Sequence, residues 1–325
     1  MFKVIDVTTK CPDDCMVVCK VWEFESVVGK IICKYENIGR DTGVPSMSNK
    51  VAINKLLKVN GKQCPFCKKK LSCKSATKRH IENACPHMKV EQLEQDNVEI
   101  QSGFRHEIEL PSHQYIKNAS PNTKLRDIID VAGAQGAGKS TWCKNYMSDF
   151  VEIMPDKLMV LMSRVEDDKA FREFIKDGKM IPLDINDPEL IENPIDAKKE
   201  LANTLCVFDD FYLYDKDIQE SLRYTLNDIM LNCRDQADYG DDIYCLVTGH
   251  QIMDYKKTRD LLNEASTIVM FPKAGQHYHI TRCMKVYIGL SKEQINKAMN
   301  LNTRWVACHK RFPNYILHEG GCYQV

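Results

Sequence analysis

Short apolar runs alternate with amphipathic segments along the chain from about residue 125 onward. The runs are RDIIDVAG, KLMVLMSR, TLCVFDDF, DIYCLVTGH and STIVMFPK. Segments between them, such as DDKAFREFIKDG and DKDIQESLRYTLNDIMLNCR, place apolar residues at the i, i+3 and i+4 positions of amphipathic helices. Five buried strands separated by helices predict an α/β fold whose parallel sheet is covered by helices on both faces. Two later runs, TRWVACH and NYILHEGG, predict a closing hairpin.

The pattern before this region divides the chain into further segments. Residues 1–48 contain the Val/Ile-rich stretches MVVCKVWEF and GKIICKY, which predict paired strands. Residues 49–90 are strongly basic, and residues 91–124 are polar and predict a linker or an adaptor. We therefore expect an N-terminal cysteine-containing segment, a basic module, a linker and an α/β domain over 125–325.

Composition restricts the classes of protein to which the chain can belong. Of its 325 residues 43% are hydrophobic, and Lys plus Arg (45) balances Asp plus Glu (45), so global charge identifies no partner. No apolar run reaches the roughly 18 residues of a membrane span, and the N-terminus lacks the apolar stretch of a secretory signal. We expect a protein without a membrane span in an intracellular, reducing compartment, where its 15 cysteines form no disulfide framework.

The stretch VAGAQGAGKSTW follows the first apolar run and opens a predicted helix. It fits the phosphate-loop motif G-x-x-x-x-G-K-S/T, in which glycines let backbone N–H groups face phosphate oxygens at a helix N-terminus. We expect the Lys139 ammonium to reach the β- and γ-phosphates of ATP and the Ser140 hydroxyl to help hold Mg²⁺. The predicted nucleotide-binding residues are Gly133, Ala134, Gln135, Gly136, Ala137, Gly138, Lys139, Ser140 and Thr141.

Two adjacent carboxylates, Asp209 and Asp210, follow the apolar run LCVF. A buried strand is not expected to end in two acids unless a positive charge lies there. We predict that Asp209 belongs to the Mg²⁺ shell, directly or through water, and that Asp210 orients and deprotonates the attacking water. Glu166 and Asp167 are a weaker alternative source of the base, and a solvated loop start is the simpler alternative for the pair.

Two further catalytic candidates follow along the chain. The run ending at Gly249 is followed by His250 and Gln251, and the Gln251 amide, which both donates and accepts, is the better candidate for contact with the γ-phosphate. Arg234 follows a long amphipathic helix and is a candidate arginine finger toward a neighbouring subunit, with Arg259 as a second candidate. A helix-capping amide and a surface arginine are the respective alternatives.

The basic module contains cysteine and histidine residues at a metal-binding spacing. The pattern Cys64-x₂-Cys67-x₁₂-His80-x₄-Cys85 is that of a ββα zinc finger with Cys in place of the last His, and it predicts a Zn²⁺ site. His87 is a substitute ligand with a less usual spacing. Residues 50–90 hold eleven Lys or Arg and one Glu, which favours contact with DNA phosphates over a solvated face or a protein contact.

Four more cysteines near the N-terminus, Cys11, Cys15, Cys19 and Cys33, match no known zinc spacing. Buried or free thiols are therefore expected there rather than a second zinc site.

Four segments of the chain occur in the same order as the sequence motifs of a known family. VAGAQGAGKST, LCVFDDF, LNCRDQADYGDDIYCLVTGHQ and TRDLLNEASTIVMFPK correspond to a phosphate loop, an acidic pair, an arginine-bearing segment with a glutamine-tipped strand, and a helix followed by a strand. Over residues 125–325 the chain thereby resembles the viral genome-packaging ATPases of the FtsK–HerA superfamily, in the poxvirus-type branch of large DNA viruses. Many relatives carry Asp-Glu where this chain has Asp209-Asp210, which places a shorter base at Asp210.

The resemblance implies a RecA-like P-loop NTPase fold in which the glutamine-tipped strand lies between the phosphate-loop strand and the acidic strand. It implies a homo-oligomeric ring that translocates double-stranded DNA, with capsid proteins as further partners. It also implies a viral protein of the host cytoplasm or the virion. The zinc finger is an addition to this pattern.

Two other functions compete with a DNA motor. A nucleotide or small-molecule kinase also uses a phosphate loop, but the arginine-rich lid expected of a kinase is absent from the sequence after the loop. A zinc-finger adaptor with an ATP-dependent switch is the non-enzymatic alternative, and the intact Lys139, Ser140 and Asp209 disfavour it.

Overall fold

The computed structural model describes most of the α/β region and parts of the N-terminal third. The described residues are 2–6, 15–23, 26–35, 69–73, 76–77, 80, 104, 106–164, 169–232, 243–254, 257–312 and 314–325. The chain divides into two compact units, one formed by residues 1–36 and 103–325 and the other by residues 37–102. In the described ranges, no helix combines the length and the apolarity needed to cross a membrane.

A large mixed sheet forms the centre of the first unit. Its strands are β4 His106–Glu109, β5 Ile128–Ala132, β6 Leu158–Met162, β7 Met180–Leu183, β8 Thr204–Phe208, β9 Tyr244–Gly249, β10 Thr267–Met270, β11 Val306–His309, β12 Tyr315–His318 and β13 Gly321–Gln324. The ten described strands lie in the order β4-β13-β12-β11-β10-β5-β9-β8-β6-β7. The six from β10 to β7 pair in parallel, whereas β11, β12, β13 and β4 pair antiparallel at one edge.

Helices connect the parallel strands. They are α1 Lys139–Ile153, α2 Arg172–Lys176, α3 Pro188–Glu192, α4 Ala197–Glu200, α5 Lys216–Asn232, α6 Arg259–Glu264, α7 His277–Cys283 and α8 Lys292–Asn300, with a 3₁₀ turn at Phe211–Leu213 and a π-helix at Met284–Ile288. A helix after a parallel strand returns the chain to the start of the next strand. The carboxyl ends of β5, β6, β8, β9 and β10 therefore share one edge of the sheet.

The core lies on both faces of the sheet because successive residues of a strand point to opposite sides. On one face, Ile128 of β5 belongs to the same buried cluster as Leu222 of α5. On the other face, Val131 of β5 belongs to a cluster with Trp142 and Tyr146 of α1. The two clusters explain why the parallel strands are continuous apolar runs rather than alternating ones.

A smaller sheet belongs to the same unit. It consists of β1 Phe2–Asp6, β2 Cys15–Glu23 and β3 Ser26–Tyr35, which pair antiparallel in the order β1-β3-β2. The backbones of Trp22 and Tyr115 exchange two hydrogen bonds of 2.8 and 2.9 Å. The Lys20 ammonium lies 2.9 Å from Asp149 and 2.8 Å from Glu152, both on α1. The N-terminal segment is thereby attached to the helix that follows the phosphate loop.

The main elements predicted from the sequence are confirmed. The five predicted parallel strands are β5, β6, β8, β9 and β10, and the predicted hairpin is β11–β12. The stretches MVVCKVWEF and GKIICKY pair as β2 and β3. Strand β9 lies between β5 and β8, as the resemblance implied. Strand β4 falls within residues 91–124, the predicted linker or adaptor, and joins the sheet by pairing with β13.

Strand β5 carries an unusual buried carboxyl group. Asp130 is almost fully buried, and neither of its carboxyl oxygens has a hydrogen-bond partner in the described part of the chain. Burial without a partner disfavours the charged form, and it raises the pKa of Asp130 to about 7. The folded state therefore keeps this proton at pH values at which the unfolded chain has released it.

This shift predicts a pH-dependent gain in stability for Asp130→Asn. Between about pH 4 and pH 7 Asp130 is protonated in the folded wild type and ionised in the unfolded chain. The free energy of unfolding of the wild type therefore falls as pH rises, by at most about 1.4 kcal/mol per pH unit. The uncharged amide removes this slope, so the variant's advantage grows with pH and is constant above about pH 7. Urea unfolding at several pH values measures it, with exposed Asp156→Asn as the control. A difference that does not change with pH would contradict the assignment.

Candidate nucleotide-binding site

The predicted phosphate loop connects β5 to α1. Its first residue, Gly133, donates a backbone hydrogen bond of 3.0 Å to the Gly249 carbonyl at the end of β9. Gly136 and Gly138 have φ angles of 75° and 107°, which residues with a side chain rarely adopt. Helix α1 begins at the next residue, and Gly138 has no side chain to cap its first turn. The loop therefore presents backbone N–H groups at a helix N-terminus, as phosphate binding requires.

Close packing also requires glycine at the start of the loop. A Cβ atom on Gly133 would lie 2.7 Å from the Phe271 ring, which follows β10. The same ring lies 3.6 Å from the position of a Cβ atom on Gly138. Phe271 is buried, and its ring packs against the two glycines of the loop. A side chain at Gly133 would displace this ring and shift the loop.

Lys139 lies at the start of α1 with its side chain folded over the loop. Its ammonium lies 3.0 Å from the Gly133 carbonyl oxygen and 3.5 Å from that of Ala134. The side chain is half-buried, whereas Ser140 and Thr141 in the same helical turn are exposed. The Lys139 ammonium and the Ser140 hydroxyl thus belong to the same helical turn, directly after the phosphate loop.

The carboxylate of Asp209 is fixed by two neighbouring strands. The Thr248 hydroxyl of β9 donates a hydrogen bond of 2.8 Å to Oδ1, and the Ser163 hydroxyl after β6 donates one of 3.4 Å to Oδ2. The Asp209 backbone N–H donates to the Met162 carbonyl at 3.0 Å. The Tyr214 hydroxyl also donates to the Asp209 carbonyl oxygen. These contacts hold the carboxylate at the carboxyl edge of the sheet.

Asp210 has a strained backbone and one buried carboxylate oxygen. Its φ angle is 48°, in the left-handed region that costs a residue with a side chain energy and is common at functional sites. Its backbone N–H donates a hydrogen bond of 2.7 Å to the Thr248 hydroxyl. The buried Oδ1 lies 3.2 Å from Nε2 of His250, and the side chain as a whole is 39% exposed. Among the described residues Oδ1 has no hydrogen-bond partner, so His250 lies beside the carboxylate without a hydrogen bond to it, and the rest of the side chain is partly open to solvent.

Charges of both signs act on the buried thiol of Cys143 in α1. Burial raises the pKa of the Cys143 thiol, the Asp209 carboxylate raises it further, and the Lys139 ammonium opposes this shift. Burial likewise raises the pKa of the Tyr214 hydroxyl, and the carboxylates of Asp209 and Asp210 add to the effect. The charges of Lys139 and Asp209 thus act in opposite directions on one thiol of α1.

The oxygen groups at this edge fit a magnesium ion. Mg²⁺ prefers oxygen ligands and usually keeps several waters, with one or two carboxylates and substrate phosphates completing its shell. Asp209 presents a carboxylate whose oxygens are oriented by two hydroxyl groups, and Ser140 presents an exposed hydroxyl at the first turn of α1. The donor set is therefore that of a hard divalent cation rather than of a soft metal.

The structure adds one residue to this site that the sequence interpretation passed over. His250, not Gln251, contacts Asp210, while Gln251 is exposed after the end of β9. The contact of Gln251 with the γ-phosphate is not tested by this geometry and stays a prediction. Adjacent residues at a strand end point in different directions, so the sequence alone did not distinguish them.

Most of the other predicted catalytic residues are not among the described residues. Arg234 lies in 233–242, and Glu166 and Asp167 lie in 165–168, so all three are outside the described residues. Arg259, the second arginine-finger candidate, is the first residue of α6, where its Nε lies 3.1 Å from Oδ1 of Asp260.

The predicted zinc site is mostly outside the described residues. Of its ligands only His80 is described, and Cys64, Cys67 and Cys85 are not. Thr77, one helical turn before His80, is fully buried and donates hydrogen bonds of 3.0 and 3.1 Å to the Cys73 carbonyl. Within the described ranges, no group of three or more His, Cys, Asp or Glu side chains is placed to hold a metal ion. Zinc binding stays a prediction.

Comparison with solved structures identifies distant similarities. The genome packaging NTPase B204 of Sulfolobus turreted icosahedral virus 2 is 15% identical, with a TM-score of 0.39 over 59% of this chain and 95% of that one. The cytoplasmic domain of the type VII secretion ATPase EccC of Thermomonospora curvata is 11% identical, with a TM-score of 0.40 over 60% of this chain and 25% of that one. Values this low identify no activity.

Comparison with known sequences identifies a nearer relative. No model of a protein family matches the chain. The uncharacterized protein V3 of Sputnik virophage is 33% identical over 219 residues, which is 67% of this chain and 84% of V3. An alignment of this length and identity includes most of the relative. The chain belongs to the same family as protein V3 of Sputnik virophage.

Proposed function

We propose that the protein hydrolyses ATP at the edge of the sheet formed by the ends of β5, β8 and β9. The observation that carries this proposal is the contact of Asp210 with His250, beside the phosphate loop and the Thr248-held Asp209. A phosphate loop alone binds nucleotide, whereas a partly exposed carboxylate on the neighbouring strand end also provides a base for water.

Each side chain of the site has a distinct role in this reaction. The loop N–H groups and the Lys139 ammonium bind and orient the β- and γ-phosphates, whose negative charge they offset. Ser140 and Asp209 would hold Mg²⁺, which when bound neutralises phosphate charge that develops during transfer. Asp210 accepts the proton of the attacking water, and His250 lies beside it, with Nε2 3.2 Å from Oδ1 of Asp210. Gln251 remains the proposed contact of the γ-phosphate.

We further propose that hydrolysis drives translocation of double-stranded DNA, in a viral genome-packaging role. The order of motifs along the chain and the position of β9 between β5 and β8 support this assignment. A relative in a virophage fits a viral function. A homo-oligomeric ring, an arginine finger at Arg234 and contact with capsid proteins are parts of the same proposal.

The kinase alternative is disfavoured by the chemistry of the site. A kinase protects the phosphoryl group from water by closing over a second substrate. Here the Asp210 carboxylate is open on one side to solvent, which suits activation of a water molecule. Phosphate release without an acceptor would therefore exceed transfer to any nucleoside or small-molecule acceptor.

Displacement of a triplex-forming oligonucleotide tests translocation directly. A motor that moves along duplex DNA removes a third strand bound to a distant site, and does so only while it hydrolyses ATP. We expect displacement with ATP, none with a non-hydrolysable analogue, and none when the triplex lies on a separate DNA molecule. ATP hydrolysis without any displacement would contradict translocation along DNA and would indicate an ATPase with another function.

We also propose that the basic module binds zinc and holds DNA. Cys67→Ser removes one of the four predicted ligands, so the variant is expected to lose its zinc because such small modules derive much of their folding energy from the metal. DNA affinity is expected to fall with a shallower salt dependence, since fewer phosphates are neutralised. Basal ATP hydrolysis is expected to persist because residues 37–102 form a unit separate from the site.

The matched control for this variant is Cys73→Ser, an exposed cysteine of the same module that is not a predicted ligand. Metal content, DNA affinity at several salt concentrations and basal ATPase rate are measured for both variants. Zinc loss with unchanged DNA affinity would assign the module to a protein partner such as a capsid component. Equal zinc content in wild type and Cys67→Ser would reject the zinc site.

A further inference from the structure

A long acid-free stretch surrounds α7 at the phosphate-loop edge of the sheet. Residues 265–292 contain no Asp or Glu, although the protein as a whole has equal numbers of acidic and basic residues. Of the six exposed basic and histidine side chains of this stretch, the five that precede α8 form what we call the α7 surface: Lys273, His277, His279, Arg282 and Lys285. The surface follows β10, whose next residue, Phe271, supports the phosphate loop.

Among the described residues, the cations of the α7 surface have polar but uncharged neighbours. Lys273 lies 2.7 Å from the amide oxygen of Asn302, and Arg282 lies 3.5 Å from the Tyr278 hydroxyl. In the described ranges, no carboxylate lies within salt-bridge distance of Lys273, Arg282 or Lys285. By contrast, Lys297 on the neighbouring α8 lies 2.6 Å from Glu107. The α7 surface therefore has a net positive charge that a polyanion can offset.

The α7 surface also includes an exposed aromatic residue, Tyr278. Tyr278 is 67% exposed, and its ring meets that of His279 edge to face at a centroid distance of 5.5 Å. Its hydroxyl lies beside the Arg282 guanidinium. Tyrosine hydroxyl groups, arginine and lysine are among the side chains that proteins use for hydrogen bonds to DNA phosphates. The composition of the surface is thus suited to contact with a phosphate backbone.

The backbone of the α7 surface is unusual at both ends. Helix α7 continues directly into the π-helix Met284–Ile288, a rare element that is frequent at functional sites. It is preceded by Gln276, a residue with a side chain at a φ angle of 55°. The Gln276 amide donates a hydrogen bond of 3.4 Å to the carbonyl oxygen of His250, whose imidazole contacts Asp210. Gln276, which precedes α7, is thereby hydrogen-bonded to His250 beside the nucleotide site.

We propose that the α7 surface contacts the phosphate backbone of duplex DNA. The proposal rests on the proposed DNA motor function and names a contact distinct from the basic module at 49–90. Binding of this kind is electrostatic and independent of DNA sequence, as a motor that moves along a genome requires. An anionic membrane is the competing polyanion, and the experiment separates the two.

The experiment uses the full chain with Arg282→Glu and Lys285→Glu combined. The matched control combines Lys176→Glu and Lys198→Glu, two exposed lysines on α2 and α4 that undergo the same change in charge. Affinity for a labelled linear duplex is measured at several salt concentrations, together with basal and DNA-stimulated ATPase rates. Vesicles containing phosphatidylserine serve as the second polyanion. A milder pair, Arg282→Gln and Lys285→Gln, is tested in parallel.

We expect the α7 variant to lose DNA affinity and the slope of log affinity against log salt to become shallower by about 2, one phosphate contact for each removed cation. Stimulation by subsaturating DNA should fall, whereas the basal ATPase rate and the control variant should match the wild type. Equal DNA affinity and slope in the α7 and control variants would overturn the proposal while leaving the motor intact. If the wild-type protein binds the vesicles but not DNA, both the α7 contact with DNA and the proposed DNA motor function are wrong.

Discussion

Replacement of Lys139 by alanine is expected to reduce ATP turnover by on the order of a hundredfold or more, because the β- and γ-phosphates lose their positioned cation. The fold should be unaffected, since in the described part of the chain the Lys139 ammonium contacts just the loop carbonyls of Gly133 and Ala134. Steady-state phosphate release measures the loss, and thermal unfolding verifies the fold.

Lys144→Ala is the matched control for this variant. Lys144 lies on the same helix and forms an exposed ion pair of 2.7 Å with Glu173, which contributes little to stability. It should retain wild-type turnover. A Lys139→Ala protein that hydrolyses ATP at the wild-type rate would show that the phosphate loop is not the catalytic nucleotide site.

Replacement of Asp210 by asparagine is expected to leave ATP bound but uncleaved, with a loss of turnover comparable to that of Lys139→Ala. The amide cannot accept the proton of the attacking water. Asparagine also tolerates the left-handed conformation that Asp210 adopts at a φ angle of 48°, so the strand end should keep its geometry. Nucleotide affinity, measured with a fluorescent ATP analogue, should therefore change little while phosphate release stops.

Asp215→Asn is the control for this variant, because Asp215 is an exposed carboxylate close in sequence whose partner is Arg164 at 2.9 Å. It should hydrolyse ATP at the wild-type rate. Near-normal turnover by Asp210→Asn would move the base to another carboxylate, with Glu166 as the next candidate.

The central part of the fold was predictable because its strands are fully buried. Continuous apolar runs identified β5, β6, β8, β9 and β10 without ambiguity. Strand β7 was not predicted because it contains Pro182, and its exposed Ile181 marks it as an edge strand rather than a buried one. Strand β4 has four residues and pairs with β13, which is distant in the sequence, so no local periodicity identifies it. Strand β13 also has four residues and pairs with the adjacent β12, but its sequence GCYQ is too short to show a period.

The site was predictable where a motif fixes both residue type and spacing. The glycines, Lys139 and the acid pair follow from local sequence. The Asp210–His250 contact joins residues forty positions apart and depends on β8 and β9 being neighbours. The choice between His250 and Gln251 was a question of side-chain direction at a strand end, which spacing does not determine.

The N-terminal segment shows a second limit of local patterns. The sequence predicted paired strands in residues 1–48, but nothing in it indicated that they join the same compact unit as 125–325. That association depends on contacts such as Lys20 with Asp149, more than a hundred residues away. Buried ion pairs of this kind leave no periodic signal in the sequence.

The measurement that tests the central claim most directly is phosphate release from ATP by the purified protein, with and without long linear duplex DNA. We expect release of inorganic phosphate from the geometry of Lys139, Asp209 and Asp210, and faster release with duplex DNA because we propose a DNA motor. No phosphate release under either condition, or transfer of the phosphoryl group to an added acceptor in place of water, would contradict the account.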